Sequence, residues 1–76
     1  MKEVLELIIT NLVNNKEEVS IDETVDGNTV TYQVKVSKDD MGKVIGRQGK
    51  VARSIRTVMK SVSAKENKKV NVEFAE

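Results

Sequence analysis

The run Val44-Ile45-Gly46-Arg47-Gln48-Gly49-Lys50 constrains this chain more than any other stretch. Two glycines three residues apart sit between apolar residues, with basic residues in the loop and just after it. Without a Cβ, glycine takes positive φ and lets another backbone come close. The spacing predicts a tight turn that ends one helix and opens the next. The free N–H groups and the dipole at that second helix's N-terminus favour an anion. The run therefore reads as a loop that receives a phosphate. Taken alone, the glycine spacing fits a plain helix–helix turn at least as well.

Charge distribution favours the phosphate loop. The formal net charge is only +1. Residues 1–40 are acidic, at net −5, and residues 66–76 are net −1. Residues 41–65 hold no acid and seven bases: Lys43, Arg47, Lys50, Arg53, Arg56, Lys60 and Lys65. A basic block on a nearly neutral chain suits an anionic polymer, and here it coincides with the glycine loop.

The remaining composition excludes other chemistries. The chain has 76 residues, the size of one domain. It contains no cysteine and no histidine, so disulfides, thiolate catalysis and the commonest general base are absent. No Ser or Thr follows Gly49-Lys50 as a nucleotide-binding P-loop requires, because Val51 stands there. No catalytic residue, cofactor or metal ligand is expected, and Asp39-Asp40 reads as a helix cap rather than a catalytic pair. The longest apolar runs fall far short of a membrane span. The start Met1-Lys2-Glu3-Val4 has no signal-peptide character, so a cytoplasmic location is expected.

The rest of the chain gives the order α-β-β-α-α-β. Residues 3–15 place Val4, Leu5, Ile8, Ile9, Leu12 and Val13 on one helical face, with Leu7 opposite, either simply exposed or a dimer contact. Asn14-Asn15-Lys16 is the expected helix end, since Asn tolerates the left-handed conformation. A strand over 19–25, the hairpin signal Asp26-Gly27-Asn28 and a strand over 29–36 follow. In the second strand Val30, Tyr32, Val34 and Val36 alternate with polar residues. A short helix over 40–45, the loop 46–49, a helix over 50–63 and a strand over 69–74 complete the domain. Gly42 reads as a close-packing position, and Met41 and Met59 as core filler. Tyr32 and Phe74 read as core rather than as base-stacking platforms. The fold class is α+β: a three-stranded mixed sheet packed on one face by three helices, with the last two strands parallel across a crossover. On the long helix, Arg53, Arg56 and Lys60 form a stripe that could extend a nucleic-acid path, meet an acidic partner, or be solvated.

The segment from Val44 to Val51 resembles the GXXG signature of the KH domain, whose loop clamps nucleic-acid backbone. The element order resembles the type II KH fold over the whole chain, residues 1–76. Asp39 to Gly46, Ile55-Arg56-Thr57-Val58 and Ala64 to Lys68 further resemble the free-standing bacterial KH proteins of the KhpA family. The resemblance implies RNA-binding roles for nine residues, and Arg53 of the basic stripe is added to them as a candidate. Gly46 and Gly49 let phosphates approach, while Arg47 and Gln48 contact phosphate or sugar. Lys43 and Lys50 flank the loop, and Val44, Ile45 and Val51 floor the groove for bases, with Arg53 alongside. It also implies single-stranded RNA and KhpB (also called Jag or EloR) as partners, a homodimer, and no membrane insertion. An RNA-chaperone role in cell elongation and peptidoglycan homeostasis is implied as well. The alternative is a protein-interaction module that keeps the fold mainly for dimerisation or partner docking.

Overall fold

The computed structural model describes residues 1–75; Glu76, the last residue of the expected domain, lies outside the described residues. Three helices and three strands follow in the order α1 (Lys2–Leu12), β1 (Ser20–Asp26), β2 (Thr29–Lys35), α2 (Met41–Ile45), α3 (Lys50–Lys65) and β3 (Lys69–Ala75). Single 3-10 turns cover Lys16–Glu18, Lys38–Asp40 and Arg47–Gly49.

Sheet order is β1-β2-β3. β1 and β2 are antiparallel, from Ser20 opposite Lys35 to Asp26 opposite Thr29. The two-residue turn Gly27-Asn28 closes the hairpin, with Gly27 at φ +61°, as short hairpin turns require. β2 and β3 are parallel, Tyr32 lying opposite Val72. The crossover α2–α3 that links them is the connection a parallel pair needs.

All three helices lie on one face of this sheet. Leu5 and Ile9 of α1, Val44 of α2, and Ile55 and Met59 of α3 meet Val30, Tyr32 and Val34 of β2 and Val72 of β3 in one buried cluster. The opposite face carries Thr29, Thr31, Gln33, Asn71 and Glu73 and stays polar. This is the two-layer α+β arrangement expected from the alternation of residues 29–36 and the helical period of residues 51–62. The outer strand β1 reaches past the helices: six of its seven residues are exposed, and Val25 is 58 % exposed despite its apolar side chain.

α1 ends earlier than its sequence pattern. A helix over 3–15 was the expectation, but Val13 turns to extended backbone (φ −99°, ψ 157°). The cause lies 25 residues away. The Asp40 carboxylate accepts the backbone N–H groups of Asn14 and Asn15 at 3.1 and 2.9 Å, and those groups then cannot continue the helix. Asn15 sits at φ −98° and makes no left-handed cap. The same carboxylate accepts the Asn15 side-chain amide at 3.2 Å and the Ser37 hydroxyl at 3.1 Å. Asp40 is therefore a cross-link between the chain after α1 and the start of α2, and not the helix cap expected of it. Asn67, at φ +57°, does take the left-handed conformation, at the end of α3. Lys68 and Asn67 donate there to the carbonyls of Ser63 and Ala64 at 3.0 and 3.1 Å, which terminates α3 as a Schellman motif.

Candidate nucleic-acid interface

The loop between α2 and α3 is built from three departures from ordinary backbone within four residues. Gly46 has φ 77° and ψ 174°, Gln48 φ 57° and ψ 26°, and Gly49 φ 75° and ψ 15°. Gly46 takes up the end of α2 through its N–H, bonded to the Gly42 carbonyl at 2.9 Å. Its own carbonyl accepts Gly49 N–H at 3.2 Å, which folds Arg47 and Gln48 outward. A Cβ at Gly46 would meet the Val51 backbone nitrogen at 2.8 Å and its side chain as well. Gly49 has open space around it, and glycine is needed there for its positive φ. Gly42, expected to be a close-packing position, has nothing within 4 Å of its Cβ direction. It is exposed.

α3 leaves this loop with Gly49 at its N-cap, no side-chain cap and no acid in its first turn. The first turn of a 16-residue helix thus offers its N–H groups and dipole to an external anion. Arg47 and Gln48 project beside it and are exposed. Of the seven bases in residues 41–65, Lys43 alone forms an ion pair among the described residues, at 3.5 Å to Asp40. The others are free to meet an anion.

The expected site residues divide by place. Gly46, Arg47, Gln48, Gly49 and Arg53 gather at the loop and on the adjoining face of α3. Val44 is fully buried, so it holds the loop from the core and does not floor a groove. Ile45 is half-buried against that core. Lys50 and Val51 turn to the other side of α3. There, with Ile8, Leu12, Ile55 and Val58, they line an apolar groove of 370 Å³ between α1 and α3.

A second groove runs along the opposite side of α3. It measures 320 Å³ and is lined by Arg56, Lys60 and residues 70–73 of β3. At 100° per residue, Arg53, Arg56 and Lys60 fall within about 60° of one another, so the stripe leads from the loop into this groove. Arg56 marks its wall. Its Nε donates to the Val72 carbonyl at 3.1 Å, and its guanidinium lies over the Phe74 ring, 5.5 Å from the centroid. Phe74, expected in the core, does pack against it, but from the rim, where it is half-buried and the cation covers it. Tyr32 is the fully buried aromatic. Arg56 was legible in sequence only as a member of the stripe. Its contact with β3 depends on the crossover that lays α3 against the final strand.

The profile of the KhpA/KhpB KH domain matches residues 2–74. The chain belongs to this KH-domain family. It is similar to the RNA-binding protein KhpA of Clostridium perfringens, 49% identical over 74 residues that cover 97% of this chain and 99% of that one. The RNA-binding protein KhpA of Chlamydia trachomatis is 43% identical over 76 residues, covering 100% and 97%. That of Listeria monocytogenes is 41% identical over 76 residues, covering both chains fully. No solved structure matches the chain at comparable significance. Within the matched residues the loop Gly46–Gly49 has the sequence Gly-Arg-Gln-Gly. No helix among the described residues is long and apolar enough to cross a membrane.

Proposed function

We propose that this chain binds single-stranded RNA through the Gly46–Gly49 loop and the groove between α3 and β3. The observation that carries this reading is the loop itself: positive φ at Gly46, Gln48 and Gly49 opens an uncapped α3 beside Arg47 and Arg53, which form no ion pair among the described residues. Phosphates dock on the loop and the helix N-terminus, which fixes position. Unstacked bases then lie toward β3, about four nucleotides in a KH groove. Relatives named RNA-binding proteins support the ligand class. The protein acts by binding and not as an enzyme.

The KhpA resemblance extends this proposal to a cytoplasmic RNA chaperone or post-transcriptional regulator. It would work as a homodimer and with KhpB in cell elongation and peptidoglycan homeostasis. One observation favours a second activity, partner docking. The apolar groove between α1 and α3 ends at Val58, 43 % exposed, and α1 also exposes 64 % of Leu7. Protein partners and RNA would then occupy different sides of α3.

Fluorescence anisotropy of short single-stranded RNA tests the reading, comparing wild type with Arg47→Asp/Gln48→Asp. Binding falls at least about tenfold in the double variant, the scale of losing one or two phosphate contacts. Wild-type affinity declines with salt, with a slope of about −0.7 per phosphate contact. Equal binding by a folded double variant would show that the loop does not hold the RNA.

A further inference from the structure

Arg56 is held in a way that a merely solvated cation would not be. One of its guanidinium donors, Nε–H, is committed to the Val72 carbonyl at 3.1 Å. The flat face of the group rests over Phe74, 5.5 Å from the ring centroid, within cation–π range. These two contacts fix both the position and the plane of the guanidinium. Both Nη groups carry N–H donors that no acceptor takes up among the described residues, and Arg56 forms no ion pair there. The groove it borders, 320 Å³ between α3 and β3, is open to a planar ligand.

We infer that Arg56 is a base-reading residue, one that selects a nucleobase presenting two adjacent hydrogen-bond acceptors. The inference rests on the RNA-binding reading of this same groove. The two Nη groups offer parallel N–H bonds in a rigid fork, which matches a pair of neighbouring acceptors best. Guanine offers such a pair at O6 and N7, and cytosine offers one at O2 and N3. Adenine sets its N6 donor beside N7, and uracil sets an N–H between its two carbonyls, so each turns a donor against the fork. With Tyr32 sealed in the core and Phe74 already covered, base-specific hydrogen bonding replaces aromatic stacking at this wall. Preorganisation strengthens the selection, because the side chain's rotamers are fixed before RNA arrives.

The test is anisotropy with uridine tetranucleotides in which one position in turn is G, C or A, and with 7-deazaguanosine in place of G. Wild type binds the best G- or C-containing tetramer about five- to tenfold tighter than the all-uridine and A-containing ones, the lower end of one bidentate pair's discrimination. Loss of that gain with 7-deazaguanosine assigns the N7 edge of guanine; a gain confined to C assigns the cytosine edge. Arg56→Lys keeps the charge but has no fork, and the ratio collapses to about one. A thermal melt confirms that this variant is folded, and the wild-type ratio stands as a test without any variant. RNA binding that depends on Arg47 and Gln48 but shows no base preference would overturn the inference alone. So would a ratio that survives Arg56→Lys. Absence of all RNA binding would overturn the RNA reading and the inference with it.

Discussion

Gly46 and Gly49 look equivalent in the sequence and differ in what an added methyl group would meet. At Gly46 the methyl would press on the Val51 backbone nitrogen at 2.8 Å, and ψ 174° at φ 77° is a conformation almost reserved to glycine. Gly46→Ala is expected to destabilise by about 2–5 kcal/mol, combining strain with overpacking. Gly49→Ala faces open space and costs only the left-handed penalty, about 1–2 kcal/mol. Gly42→Ala, in an exposed turn of α2, gains up to about 1 kcal/mol from helix propensity. Urea unfolding of the three variants would rank them in that order; a Gly49→Ala cost above that of Gly46→Ala would contradict the loop geometry.

Two buried polar groups set the pH behaviour. Backbone N–H groups, first Asn15 and then Asn14, together with the Ser37 hydroxyl, hold the Asp40 carboxyl at about 2, below its ordinary value. A carboxylate with a depressed folded pKa stabilises above its unfolded pKa, and that contribution is lost as pH falls from about 4 toward 2. The melting temperature is expected to drop across this window, and less steeply in Asp40→Asn. Tyr32 behaves oppositely. Burial first, then its 2.7 Å hydrogen bond to Glu23, raise its pKa well above the ordinary value. Its stabilising contribution is present below pH ~10 and lost at higher pH. Because it is the only tyrosine, and tryptophan is absent, absorbance near 295 nm reports Tyr32 alone. Tyrosinate should appear only as the fold is lost; a titration near pH 10 in folded protein would contradict its burial.

At the scale of elements, α3 does two jobs with different faces. Ala52, Ile55 and Met59 are buried against the sheet and α1, while Arg53, Arg56 and Lys60 stand on a neighbouring face. Ile55→Ala is expected to cost about 2–5 kcal/mol as a core truncation, a large share of a small domain's total stability. A thermal melt near that of wild type would contradict its place in the core. The two faces of α3 were legible because a 3.6-residue period separates them in the sequence. The end of α1 was not, because the apolar pattern continues through Val13 while the hydrogen bonds that stop the helix come from Asp40. The rim position of Phe74 was hidden for a related reason. Alternation along residues 69–74 gives its face of the strand, but not how far the helix layer reaches across the sheet.

Over the whole molecule the charge is sorted by topology. β1 holds Asp22, Glu23 and Asp26 at one edge of the sheet, and β3 with Arg56 and Lys60 above it forms the other. The central strand β2 lies between them, about 10 Å from edge to edge. The proposed RNA path on the α3–β3 side therefore lies where a polyanion is attracted, and β1 where it is repelled, with a salt dependence set by a Debye length of similar size. The fold class and the loop could be read from residues 29–62, where local periodicity, turn chemistry and charge agree. The wall proposed to face the bases could not, because it joins Arg56 to Val72 and Phe74 across the crossover. The most direct test of RNA binding at this place is an ¹⁵N–¹H spectrum of the full chain titrated with a single-stranded RNA tetramer. The expected result is a contiguous set of shifted amides at the Gly46–Gly49 loop, the first turns of α3 and residues 70–74. Shifts concentrated on β1 and the open face of the sheet, with the loop unmoved, would contradict the proposed site.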